Sequence, residues 1–121
     1  MKLLDWNVRS LGDEDKCSLV RNTITSCRPS VVCLQETKLD SIFVRKLGGF
    51  LPAYLNDHVF VPSVGSSGGL LVAWDSAAVS GQLVAAHRFH ITIRLVSAAS
   101  HDSFMLTSVY APCHDQERSL F

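Results

Sequence analysis

Asn7 and Glu36 are the first residues of this 121-residue sequence whose type and position suggest chemistry. Each stands at the end of a short, mostly apolar run: Asn7 closes residues 2–6, and Glu36 follows Val31-Val32-Cys33-Leu34-Gln35. Two such runs joined as a right-handed βαβ unit would be parallel, with their carboxyl ends on one edge of the sheet. A carboxylate just beyond a buried strand, near an amide that can bond a phosphate oxygen or hold the carboxylate, is how a Mg2+ site for phosphodiesters begins. A plainer reading is also open. Gln35 and Glu36 would then simply lead into a polar loop, and Asn7 would satisfy backbone groups in a turn.

The elements that must position these residues are legible from spacing. Asp13, with Glu14 and Asp15, supplies a cap and first-turn acids for a helix, and Leu19, Val20, Thr23, Ile24 and Cys27 recur on one face of it. Arg28-Pro29 ends that helix, because proline disfavours helical backbone in the residue before it. The run 31–35 is too short for an ordinary helix and reads as a strand buried on both faces. Residues 41–47 predict a short helix stopped by Gly48-Gly49. The remainder is β-like over 59–62, 70–74, 79–86, 90–96 and 104–110, with short turns that should pair neighbours antiparallel. The Gly65-Ser66-Ser67-Gly68-Gly69 stretch reads as a tight turn, since no GK[ST] and no helix follow it to make a phosphate loop.

Four blocks taken in order, LLDWNVRSLGD, RPSVVCLQETKLD, GSSGGLLVAWDS and FMLTSVYAPC, resemble the endonuclease/exonuclease/phosphatase superfamily. That superfamily includes apurinic endonucleases, pancreatic deoxyribonuclease and LINE endonucleases. The WNVR-x-LG form and the GSSGGLLVAW block look most like plant non-LTR retrotransposon copies. The resemblance implies an α/β fold, the amino-terminal half of a four-layer αββα sandwich, with a mixed β-sheet carrying helices on one face. It implies that Asn7 helps to bind phosphate and metal, that Glu36 ligates Mg2+, and that Tyr110 contacts or orients the scissile phosphate. DNA is the partner it implies, and nicking with water as nucleophile the reaction.

Several residues depart from the family pattern. Asp5 stands where Ser or Thr is usual, and an extra carboxylate in a strand needs a partner or an edge position. Ser10 replaces a glycine, which strains the loop if that position needs a positive φ. Arg9 stands where apurinic endonucleases have an acid, and it suits a phosphate oxygen as well as it suits solvent. The later Asp-x-Asn and terminal Asp-His pairs have no counterpart, since His101-Asp102 and His114-Asp115 reverse the order. His58, His87, His90, His101 and His114 lack metal-ligand spacing on a helix and read as surface or turn residues.

Composition sets the outer bounds. A hydrophobic content of 47% excludes a disordered tail, and 121 residues make one domain at most. With 11 basic and 11 acidic residues the net charge is +0, so nucleic-acid binding would have to be local. Cys17, Cys27, Cys33 and Cys113 form no CxxC pair, which favours a reduced, intracellular setting, nuclear if retrotransposon-like. The N-terminus does not read as a signal peptide, and no apolar run approaches the roughly 18 residues that span a membrane.

The expectation is therefore a partial nuclease domain over residues 1–121, inactive alone, with the second sheet missing. Its uncovered sheet face would then promote self-association. The alternatives are a non-catalytic interaction module that uses this face, and the remnant of a phosphatase of the same superfamily.

Overall fold

The computed structural model describes residues 1–42 and 44–111 of the chain. It begins with the expected strand–helix–strand unit: β1 (Leu3–Asn7), α1 (Glu14–Cys27) and β2 (Val31–Gln35), with β1 and β2 parallel and Asn7 in register with Gln35. Asp13 caps α1, its carboxylate accepting from the Asp15 amide. Arg28 closes the helix in the left-handed conformation, its N–H donating to the Ile24 carbonyl. The buried stripe of α1 is Cys17, Val20 and Ile24, whereas Leu19, expected on that stripe, is 54% exposed.

A second helix, α2 (Val44–Phe50), runs through Gly48 and Gly49 instead of stopping before them. Two forces carry it past the glycines. Phe50 and Leu51 are buried in the core beyond, and Arg21 Nη1 of α1 donates to the carbonyls of Gly48 and Leu51, at 2.9 and 2.8 Å. Helix-end carbonyls that would otherwise lack partners are thereby satisfied.

The remaining elements are strands: β3 (Asp57–Val61), β4 (Leu70–Trp74), β5 (Val79–His87), β6 (His90–Ser97) and β7 (Ser103–Val109). The first sheet has the order β1-β2-β4-β3, mixed in direction, and β3 and β4 form a hairpin across the Gly65–Gly69 turn. From β4 to β5 the antiparallel expectation fails. At Asp75 the chain turns sharply, the carboxylate accepting from the Ala77 amide and the carbonyl from Val79, and it leaves the first sheet. Strands β5, β6 and β7 then form a second, antiparallel sheet of three strands.

That second sheet corrects the expectation of a missing one. Along β2 and β4 side chains alternate faces. Val32, Leu34, Leu71 and Ala73 pack with α1 and the residues around α2, while Val31, Cys33, Leu70, Val72 and Trp74 pack on Ile91, Ile93 and Leu95 of β6. Among the described residues both faces of the first sheet are covered, so this sheet does not leave the uncovered face that was to drive self-association. Three of the four expected layers, α, β and β, are present among the described residues.

Candidate active site

The parallel pairing of β1 and β2 brings Asn7 and Glu36 to the same edge, and the loops after them interlock. The Val8 amide donates to the Gln35 carbonyl at 3.0 Å, and the Leu11 amide to the Thr37 carbonyl at 2.9 Å. Asn7 Oδ1 accepts from the Arg9 amide at 3.2 Å, which folds the WNVR segment over the strand end. Four non-glycine residues here have positive φ: Arg9 (59°), Ser10 (121°), Glu36 (55°) and Lys38 (56°). Ser10 thus occupies the backbone region that favours glycine, and such strained residues persist only where their surroundings hold them.

Tyr110 reaches this edge from the other sheet. Its amide donates to the Phe89 carbonyl at 2.8 Å, its ring stacks on Phe89, and its hydroxyl lies 3.1 Å from Ser67 Oγ. The Gly65–Gly69 turn is the link between Tyr110 and Glu36. A Cβ on Gly68 would stand 3.3 Å from the Tyr110 ring, and the Gly68 and Gly69 carbonyls accept from the amides of Lys38 and Thr37. Gly68 and Gly69 have φ of 82° and 96°, and a side chain on Gly69 would run into Thr37. Glycine is therefore required for the turn to lie against the Glu36–Lys38 loop.

Asn7, Glu36 and Tyr110 thus share one edge, with Arg9 on the same loop as Asn7. Tyr110 is buried, Glu36 half-buried, and Asn7 and Arg9 exposed. Spacing alone does not single out Thr37, which is fully buried, or Ser67, the hydroxyl partner of Tyr110. The signal for both is the short distance that two successive glycines permit, which sequence spacing does not carry.

Asp5 resolves as an edge residue. It lies on β1, the terminal strand of its sheet, and its Oδ1 accepts from Gln35 Nε2 at 2.5 Å. The same Gln35 amide donates to Ser108 Oγ of β7 at 2.9 Å, linking the two sheets. Of the histidines, His87 and His101 are exposed and His58 and His90 half-buried; His114, Asp115 and Cys113 lie outside the described residues.

As a metal site, this edge offers one carboxylate, Glu36, and one amide oxygen, Asn7. No group of three His, Cys, Asp or Glu residues able to hold a metal occurs among the described residues. Mg2+ commonly keeps several waters and takes one or two carboxylates together with substrate phosphate. The residues present therefore fit part of such a site and do not make an all-protein one.

Comparison with known proteins gives the same picture. A family profile described as "Endonuclease/Exonuclease/phosphatase family" matches residues 6–117. No curated protein matches the chain significantly. Among solved structures, an AP endonuclease from Leishmania major superposes with a TM-score of 0.68 at 19% identity, over 91% of this chain and 40% of that one. The catalytic domain of Xenopus laevis APE2 gives 0.59 at 18% identity, over 98% and 47%. A D. rerio TDP2 humanized by 14 mutations gives 0.60 at 11% identity, over 97% and 49%. At these identities the likeness is one of fold, and this chain spans less than half the length of each. No helix among the described residues is long and apolar enough to cross a membrane. With the profile covering nearly its whole length, the chain belongs to the endonuclease/exonuclease/phosphatase family.

Proposed function

We propose that residues 1–121 carry the amino-terminal part of a Mg2+-dependent DNA endonuclease domain of plant LINE retrotransposon type, and that they are inactive by themselves. The observation that carries this reading is the convergence of Asn7, Glu36 and Tyr110 on one sheet edge, built by the WNVR, QETK and GSSGG segments. The WNVR and GSSGGLLVAW blocks support the retrotransposon type.

In this reading Glu36 and Asn7 would hold Mg2+, which when bound supplies Lewis-acid polarisation of a phosphate. Arg9 would pair with a phosphate oxygen, and the Tyr110 hydroxyl, oriented by Ser67, would donate to another. Among the described residues this edge offers neither a second group to act as base for the attacking water nor an acid for the leaving group, and groups that act as a unit lose activity together.

Two measurements test the proposal. Titration of Mg2+ into the labelled chain is expected to shift backbone resonances around Asn7 and Glu36 with weak, millimolar-range affinity, and Glu36→Gln should abolish the shifts. Shifts scattered elsewhere, or unchanged in Glu36→Gln, would remove the site. Nicking of supercoiled plasmid should stay at background; robust nicking abolished by EDTA and by Glu36→Gln would refute the inactivity.

A further inference from the structure

Thr37, the residue after Glu36, is fully buried and bonded in three directions. Its N–H donates to the Gly69 carbonyl at 3.2 Å, its carbonyl accepts from the Leu11 amide at 2.9 Å, and its Oγ1 accepts from the Leu39 amide at 3.3 Å. One residue thereby joins the loop after Asn7, the Gly65–Gly69 turn and its own loop. Leu39 is buried too, and its carbonyl is taken by the Ser63 amide at 2.8 Å, so the loop is fixed on that side as well.

The residues flanking Thr37 are the ones under strain. Glu36 and Lys38 are both left-handed, at φ 55° and 56°, whereas Thr37 between them is not. Residues other than glycine stay in that region only where their surroundings fix them. Among the described residues nothing hydrogen-bonds the Glu36 carboxylate, so its place at the edge is set by its backbone.

We propose that Thr37 is a positioning residue for this edge: its hydroxyl oxygen, by accepting from the Leu39 amide, holds Glu36 in the left-handed conformation that carries the carboxylate towards Asn7. Without that oxygen the Leu39 amide is a donor stranded in the interior, and the loop must turn to find it another acceptor. The strain at Glu36 and Lys38 then has nothing to oppose its release. Size matters as well as polarity. The oxygen lies against the backbone of Gly69, where a bulkier methyl would press on the turn. This role rests on the reading of Glu36 and Asn7 as the metal-binding pair.

The test uses the full labelled chain and two variants, Thr37→Ser, which keeps the oxygen, and Thr37→Val, which keeps the branched shape. In the native chain and in Thr37→Ser, the N–H to Hα couplings and Cβ shifts of Glu36 and Lys38 should report left-handed backbone. In Thr37→Val both residues should leave that range, and the Leu39 amide should exchange faster. The Mg2+ midpoint for the shifts at Asn7 and Glu36 should rise about tenfold in Thr37→Val, or about 1.4 kcal/mol, and stay within about twofold in Thr37→Ser. Ile93→Ala, in the core between the sheets, should lower urea stability and leave the midpoint where it was, which separates positioning from general destabilisation. A native chain with no Mg2+ response would remove the metal assignment alone, and the backbone signature of Glu36 would still decide what Thr37 does. Left-handed Glu36 retained in Thr37→Val, or equal losses in Thr37→Ser and Thr37→Val, would overturn the proposal.

Discussion

The hydroxyls of Tyr110 and Ser67 lie 3.1 Å apart and join the two sheets at the edge where Asn7 and Glu36 emerge. Tyr110 is otherwise held by its ring, stacked on Phe89 and set against Gly68. Removing the hydroxyl therefore removes one hydrogen bond and little packing. Tyr110→Phe and Ser67→Ala are each expected to cost about 0.5–1.5 kcal/mol in urea unfolding. The double variant should cost less than their sum, because both remove the same bond. Strict additivity would mean that the pair does not form.

Gly69 and Gly65 belong to one turn but face different surroundings. Gly69, at φ +96°, abuts the Thr37 side chain and the Lys38 amide, whereas Gly65, at φ +62°, has nothing within 4 Å of its would-be Cβ. Gly65→Ala should cost on the order of 1–2 kcal/mol, from left-handed backbone alone. Gly69→Ala adds a collision, and is expected to cost at least about 2 kcal/mol more and to broaden the amide resonances of Thr37 and Lys38. Equal costs for the two would show that the turn does not press on the Glu36 loop.

Much of this edge was legible in the sequence because it depends on local rules. The apolar run at 31–35 marked a strand buried on both faces and Asp13 marked a helix start, while the strain at Ser10 was legible only through the glycine that the family resemblance puts there. What was not legible depends on long-range choices. The passage of α2 through Gly48-Gly49 rests on Arg21, more than twenty residues earlier, and on burial of Phe50 and Leu51. The jump from β4 to the second sheet at Asp75 leaves β5 and β6 with the same alternation they would show in one continuous sheet, so periodicity could not reveal it. The partner of Asp5 was likewise invisible: Gln35 meets it across the β1–β2 pair, and Ser108, which accepts from the same Gln35 amide, arrives only with the other sheet.

The sheet-to-sheet core predicts the solution behaviour of the chain. Ile93 is fully buried between the sheets, Trp74 lies in the same core, and Trp6 packs on the helix side. A chain whose two cores share β2 and β4 should unfold as one unit, as a monomer. Single-tryptophan variants Trp6→Phe and Trp74→Phe should therefore report coincident urea transitions. Ile93→Ala should shift both by about 2–5 kcal/mol, the cost of a large-to-small change in a closed core. Separate transitions would show that the three-stranded sheet is not an integral layer.

Cys33 ties stability to alkaline pH. Burial is the main cause that pushes its thiol up from 9.0 to about 12; the Asp5 carboxylate raises it further and a hydrogen bond with Ser108 opposes the rise. The folded state thus holds this proton more tightly than the unfolded state does. Its contribution is fully present below pH 9 and is lost as pH climbs from 9 through about 12, on the order of 4 kcal/mol if the whole shift is realised. Tyr54, also raised chiefly by burial, acts in the same sense. Urea midpoints measured between pH 8 and pH 11 should fall steeply in the native chain and less in Cys33→Ala, in which this titration is gone. In the folded chain at pH 8 a thiol reagent should react with half-buried Cys27 and spare Cys33 until urea is added. Prompt reaction of Cys33 at pH 8, or the same alkaline slope in Cys33→Ala, would show that the thiol between the sheets is reached by water.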